Sequence, residues 1–353
     1  MRWYADDLAE SITLSGQLSV KWVERDVNLF LNNLLKTTDV DYIVAIDTDS
    51  CYVKADAVVK RAFKEETYDQ EEVTVFLENF AAKLEQVIAN SLEELYISTN
   101  IFEKKLHMKL EAIGSAIWTS KKHYVMALKS FKGVHHFPPK IKMQGIEAVR
   151  SSTPKFCREA IKEAIPKIIE ADRDWLKAFI ETKREEFSEL PFDQVASPRG
   201  VSDIDKWFDK DSIYIKRTPI QVRGALLYNN KVATTKLNYD LPMIRSGDKI
   251  RFCYMRLPNP LMENVFAVPD EMPEAFQLDD YIDYSKQFDK TFMEPIKNLI
   301  KAAGIDISDK IDITQFFSEP LAEEDQDPTA GLDLIEDDGF WDNTEEEDTV
   351  WIN

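Results

Sequence analysis

Apolar residues crowd one stretch near the start of the chain. Ile12, Leu14, Leu18, Val20, Trp22, Val23, Val27, Leu29, Phe30, Leu31, Leu34 and Leu35 cover more than one face of a helix over residues 9–36. A helix apolar on most sides is buried on most sides. Little chain precedes this one, so the pattern predicts a covering surface on another polypeptide. The period then shortens. Tyr42-Ile43-Val44-Ala45-Ile46 and Cys51-Tyr52-Val53 are short apolar runs on either side of Asp47-Thr48-Asp49-Ser50, which predicts strand, tight turn and strand. Helical spacing returns over 54–66 and 71–97, where Val73, Phe76, Phe80, Leu84, Val87 and Ile88 recur every three to four residues. Residues 105–130 alternate more like strands.

Prolines set the expected breaks. Pro138-Pro139 predicts an interruption, and Pro166 predicts a kink or split in a long helix from about Thr153 to Glu185. From about residue 187, Pro191, Pro198, Pro219 and Pro258 punctuate what reads as short helices and loops. No internal repeat is visible. After Pro320 the chain is acidic and poor in core formers, which predicts disorder unless a partner binds it.

Composition changes this picture in three ways. The chain has 353 residues, enough for two domains of ordinary size, and its 44% hydrophobic content is normal for a globular protein. Its three cysteines, Cys51, Cys157 and Cys253, are scattered, and no Cys/His spacing suggests zinc, so a reducing cytoplasm is expected. His135 and His136 have no partner at ligand spacing. No apolar run reaches a membrane span, and the first residues lack a signal peptide's pattern.

Charge is distributed unevenly. Fourteen of the net −20 charges fall in residues 318–353, which hold no Lys or Arg, leaving −6 for residues 1–317. Residues 121–158 hold nine Lys or Arg against one acid, Glu147, a local +8. A concentrated basic stretch in an acidic chain fits binding to a polyanion, although a solvated basic face has the same composition.

The candidate chemistry sits in the first turn. Side chains alternate along a strand, so Asp47 and Asp49 are expected on one side of the hairpin tip. Two carboxylates there suit a hard divalent cation. Magnesium wants one or two carboxylates plus substrate phosphate oxygens, which points to phosphoryl or nucleotidyl transfer. A solvated turn, or a nucleotide-sugar transferase using manganese, would present the same Asp-x-Asp pattern.

Further motifs follow in a fixed order. Arg2-Trp3-Tyr4 precedes Ile12-Thr13-Leu14-Ser15-Gly16-Gln17. After the Asp47-Thr48-Asp49-Ser50 turn come Glu111-Ala112-Ile113 and Lys121-Lys122-His123-Tyr124. Gly145-Ile146-Glu147 and Ser151-Ser152-Thr153-Pro154-Lys155 are next, then Pro198-Arg199-Gly200 and Val222-Arg223-Gly224-Ala225-Leu226-Leu227-Tyr228. In this order and spacing the chain, from about residue 2 to 317, resembles the C-terminal part of family B DNA polymerases, closest to the replicative enzymes of T-even-type bacteriophages.

That resemblance implies an α+β fold in which residues 1–143 are the C-terminal half of the palm, an antiparallel sheet packed on long helices. Residues 144–317 would be a mostly helical thumb and 318–353 an acidic tail. It implies a chain incomplete without a partner, one subunit of a split polymerase. The partner would carry the exonuclease, the fingers and the other palm carboxylate.

Site roles follow from the same resemblance. Asp49 would bridge two magnesium ions, manganese being the alternative, with Asp47 beside it and Glu111 in support. Lys121, Lys122, Tyr124 and Lys142 would grip the primer–template DNA, joined by Ser151, Ser152, Thr153, Lys155, Arg199 and Arg223. Ser and Thr ahead of a helix would also cap its free amides. Phe316 and Phe317 lie where phage relatives end in a clamp-docking peptide, and Trp341 and Trp351 in the tail are further candidates for that sliding clamp.

The implied reaction adds dNTPs to a primer 3′ end and releases pyrophosphate, in the cytoplasm of an infected bacterium. The chain departs from the family at Ala45-Ile46, where Tyr-Gly is usual, and at His123, where arginine is usual. A bulky Ile46 near the primer end would suit a non-catalytic subunit that grips DNA and tethers a clamp.

Overall fold

The computed structural model describes residues 5–64, 69–235 and 241–306. Among these, the chain separates into two compact units. One contains the residues up to Ala116 together with Met126–Lys142, and the other Ile117–Val125 together with the residues from Met143 onward.

The first unit is built on two long helices, α1 (Asp6–Leu35) and, later, α3 (Gln70–Thr99). Between them lie a hairpin, β1 (Ile43–Asp47) and β2 (Ser50–Val53), and a short helix, α2 (Asp56–Phe63). Helix α1 begins with Asp6 and Asp7, which favour its positive end, and stops where Lys36 turns left-handed at φ 59°. Its buried positions are Val20, Val23, Val27 and Leu31, a single stripe at three-to-four spacing. That stripe meets Phe80, Ile88, Leu92, Leu95 and Tyr96 of α3, with Tyr42, Ile43 and Val58 closing the cluster. Each such side chain contributes roughly 1.5–3 kcal/mol by leaving water.

A three-stranded sheet of order β3-β4-β5 follows in the chain, formed by β3 (Ala112–Ser120), β4 (His123–Phe131) and β5 (Val134–Gln144). Pro138 and Pro139 lie inside β5 and do not break it. Strand β5 is an edge strand, where a missing N–H leaves few ladder bonds to lose.

The second unit opens with α4 (Lys155–Ile169) and α5 (Arg173–Ser188). The expected single helix is therefore split, but not at Pro166, which α4 accommodates in its interior. The break falls at Ala171, left-handed at φ 57°, and at Asp172, whose carboxylate accepts from the Trp175 amide and starts α5.

Short elements follow: α6 (Phe192–Val195), β6 (Ser197–Gly200), α7 (Ile204–Trp207) and the small hairpin β7 (Phe208–Asp209) and β8 (Ile213–Tyr214). Helix α8 (Ile220–Thr235) packs on β9 (Lys249–Tyr254) and β10 (Val265–Val268). These strands join β6 in an antiparallel sheet of order β10-β9-β6. Helices α9 (Tyr284–Phe288) and α10 (Glu294–Ala302) end the described part, joined by a π-turn over Asp289–Met293. Phe187, Phe288 and Phe292 pack in sequence as mutually tilted rings with centroids 5.3 and 4.8 Å apart, which cements α5 to α9.

The fold is thus α+β with antiparallel sheets. The sheet β10-β9-β6 stands where the sequence pattern predicted only helices and loops. Its signals are the alternation of Ile250, Arg251 and Phe252 and the fully buried run Val265–Val268. None of the three cysteines is in a disulfide, and no described helix is long and apolar enough to cross a membrane.

Candidate functional site

Helix α1 holds the acidic hairpin directly. Asn28 Oδ1 accepts from the Tyr42 amide at 2.8 Å, and Asn28 Nδ2 donates to Asp41 Oδ1 at 2.9 Å. One turn on, Asn32 Nδ2 donates to the Val40 carbonyl at 2.8 Å and its Oδ1 accepts from the Val40 amide at 3.1 Å. Two asparagines on one helix face therefore fix the chain as it enters β1. Their sequence signal, Asn28 and Asn32 at i, i+4 beside the apolar stripe of α1, is one that hydrophobic periodicity does not weigh.

The strands pair Ile46 with Cys51 and Asp47 with Ser50, after a bulge between Ile43 and Ala45. Ile46, Cys51 and Val53 pack against the apolar cluster. Alternation then turns Asp47 and Ser50 to the other face. Strand alternation therefore covers Asp47 but does not reach Asp49, and the two are not set on one face by the strand. Asp49 belongs to a two-residue loop with Thr48, which is left-handed at φ 52°, and it is exposed. Ser50 Oγ donates to the Asp47 carbonyl at 3.1 Å and Thr48 Oγ1 to Asp47 Oδ1 at 3.3 Å, so the tip is ordered by its own side chains.

Glu111 is exposed just ahead of β3, where its carbonyl accepts from the Lys132 amide at 2.7 Å. Among the described residues no group of three or more His, Cys, Asp or Glu is placed to hold a metal. The hairpin offers two carboxylates. That donor set fits magnesium, which takes one or two protein carboxylates and completes its shell with water and phosphate oxygens.

The basic tip lies between β3 and β4. Lys121 and Lys122 are exposed in its turn, and Lys122 is left-handed at φ 64°. Tyr124 is 2% exposed; its hydroxyl donates to Gln144 Oε1 at 2.7 Å and its ring lies 5.5 Å from that of Trp118. It anchors the tip from inside. Beside it, Gly145 has φ +67°, and a Cβ there would stand 2.5 Å from the Lys122 carbonyl oxygen and 2.4 Å from the His123 ring. Arg150 closes the arrangement, its Nε donating to the Gly145 carbonyl and its terminal nitrogen to His123 Nε2, both at 2.7 Å. Burial and then the Arg150 charge push the His123 imidazole below its usual range, against Glu147.

The remaining candidates divide. Ser151 is exposed and Thr153 buried, and neither caps α4. The turn in which Thr153 N donates to the Arg150 carbonyl ends one residue early, so Pro154 becomes the N-cap and the expected hydroxyl cap is absent. Lys155 is exposed and Lys142 half-buried on β5. Arg199 is exposed on β6, while Arg223 donates to Asn264 Oδ1 and lies 5.7 Å over the Tyr214 ring, engaged inside the unit. Phe316, Phe317, Trp341, Trp351 and the rest of the tail lie outside the described residues.

No protein-family model matches the chain. It is 29% identical over 330 residues to a DNA-directed DNA polymerase of Enterobacteria phage T4. Identity and length are the same for a DNA-directed DNA polymerase of Escherichia phage RB69. Each match takes in 90% of this chain and 36% of the relative, so the chain spans about a third of the length of the curated relatives it matches. The likeness read from the ordered motifs, to a region of T4-like family B polymerases, is borne out.

Proposed function

We propose that this chain, similar over most of its length to a region of T4-like family B DNA polymerases, supplies the metal-holding hairpin and the primer–template grip of a DNA-directed DNA polymerase. The observation that carries this reading is that similarity together with a self-ordered hairpin tip presenting Asp47 and Asp49. Asp49 and Asp47 would hold magnesium, which when bound stabilises charge on the phosphate oxygens and on the attacking primer hydroxyl. Lys121 and Lys122 would meet the primer strand's phosphates as compact charges. The product is a primer longer by one deoxynucleotide, with pyrophosphate released.

Two carboxylates do not complete a two-ion site, so the reading requires a further carboxylate, with fingers and exonuclease, on a second polypeptide or another stretch of the same one. Helix α1 supports that. Leu8 and Ile12 are 63% and 65% exposed, and Leu14 and Leu18 follow them on the surface. The hydroxyls among them are already satisfied, since Ser11, Thr13, Ser15 and Ser19 each donate to a carbonyl four residues back. Such a surface loses little by leaving water. A sliding clamp is the expected further partner, through Phe316-Phe317 or the tail tryptophans. Ile46, the residue that favoured a tethering subunit without catalysis, packs inward and leaves the tip clear.

Primer extension tests the reading. With the complementary polymerase part supplied, Asp49→Ala should lower extension at least about a hundredfold, because its carboxylate acts on charge developing in the transition state. Primer–template affinity should stay within about twofold, and Asp47→Ala should cost less. Near-normal turnover in Asp49→Ala would remove the hairpin from the chemistry.

A further inference from the structure

We propose that Arg150 is a positioning residue that latches the Lys121-Lys122 tip to the 145–150 segment through an unprotonated His123, so that acid releases the grip on DNA. The inference rests on the DNA-gripping reading of the two lysines.

The geometry is specific about protonation. The Arg150 guanidinium can only donate, so His123 Nε2, 2.7 Å from it, must present a lone pair. The ring's proton then sits on Nδ1 and points to Ser120 Oγ, its neighbour across the turn. Arg150 Nε simultaneously donates to the Gly145 carbonyl. One planar side chain thus ties the turn that carries the lysines to the segment leading into α4, where Gly145 already lets the two backbones touch. Tyr124 and Gln144 make the second tie at 2.7 Å. A lysine at 150 could not bridge both acceptors, since the guanidinium fork is what spans them.

Adding a proton to Nε2 turns the acceptor into a donor facing a donor and places two cations side by side. The groups facing the ring are Arg150 and Glu147 from the 145–150 segment and Ser120 from its own hairpin. Glu147 lies 3.8 Å from Arg150 and offers the freed guanidinium an alternative partner. The latch therefore opens toward Glu147, and the lysine turn loses one of its two ties. Nothing in the basic composition of residues 121–158 distinguishes Arg150 from the other cations there. Only its place on the His123 ring does.

The test uses the full chain and a fluorescent primer–template duplex, titrated from pH 8 to 5.5 at fixed ionic strength. Wild-type affinity should fall about three- to tenfold across the His123 titration, a fraction of the worth of one charge-assisted hydrogen bond because the latch acts on DNA only through the lysine turn. Arg150→Gln and Arg150→Lys should bind at pH 7.5 as weakly as wild type does in acid, with a flat profile below. His123→Gln should also be flat, and adding it to Arg150→Gln should cost nothing more. The imidazole titration followed by NMR should rise toward the ordinary histidine value in Arg150→Gln, independently of DNA. An unmoved titration, or an acid loss that persists in His123→Gln, would overturn the latch. Affinity unaffected by Lys121→Ala/Lys122→Ala overturns the gripping reading instead, and with it this use of the latch, whatever the NMR titration shows.

Discussion

At the scale of single residues, the hydrogen-bonding side chains that sequence patterns rank as neutral prove to hold the candidate site. Asn28 is one. Removing its amide leaves the Tyr42 amide without its acceptor, half inside the protein, at the mouth of β1. Asn28→Ala should therefore cost about 1–2 kcal/mol of stability. It should lower primer extension more than it lowers DNA affinity, because the acidic tip loses its alignment. Urea unfolding and primer extension on the same variant check both parts.

Glu78 is another such residue. Its carboxylate accepts from Ser130 Oγ at 2.7 Å and meets His135 Nε2 at 2.9 Å, tying α3 to β4 and β5. The Ser130 hydroxyl, and then His135, hold it below the usual glutamate range. A depressed carboxylate contributes stability above its unfolded value, about 4.3, and loses that contribution as pH falls through the folded value. Ser130→Ala should cost about 1 kcal/mol at pH 7. The gap between variant and wild type should shrink in urea titrations at pH 3.5; a gap that is constant with pH would mean that the carboxylate does not feel the hydroxyl.

At the scale of elements, what was legible in the sequence was whatever depends on periodicity alone. Helices α1 and α3 stand close to their predicted bounds, because the Val20–Leu31 and Val73–Ile88 spacings leave one way to bury them. The β1–β2 hairpin was legible for the same reason. What failed depended on neighbours. Pro138-Pro139 looked like a break because a sequence does not say which strand lies at an edge. Pro166 looked like the helix boundary, yet Ala171 and Asp172 set it by backbone conformation and capping. The alternation that put Asp47 and Asp49 together stops at Asp47, two residues short of Asp49. Arg150 and Gly145 were invisible as a pair with the tip because their meeting is tertiary.

The exposed stretch of α1 gives the element-scale prediction. Replacing Leu8, Ile12, Leu14 and Leu18 by Gln removes apolar surface that is largely exposed, so stability should change by less than about 1 kcal/mol. Through this surface the chain alone should self-associate at micromolar concentration and the variant should not, and capture of the complementary polymerase part by the variant should weaken at least tenfold. Sedimentation and a pull-down with purified complementary part read these out. Retained capture would show that the partner sits elsewhere.

At the scale of the whole molecule the decisive property is where the charge lies. A chain of net −20 repels nucleic acid at long range, yet the residues before the tail carry only −6 and include a stretch of +8. The fourteen acids of residues 318–353 lie on the same chain as the lysine turn, so they raise the local concentration of negative charge around any DNA site. Truncation after residue 317 should therefore tighten primer–template binding at low salt. Competition of this kind is electrostatic, so the gain should shrink as salt screens it, with a Debye length of about 8 Å at physiological strength. Intact and truncated chains should then converge above roughly 0.5 M salt, and the truncated chain should show the steeper dependence of log affinity on log salt. Trp341 and Trp351 separate this from a docking role. If the tail instead engages a clamp through those aromatics, truncation should leave clamp-free affinity unchanged at every salt concentration and abolish the clamp's effect on product length, with Trp341→Ala/Trp351→Ala reproducing that loss.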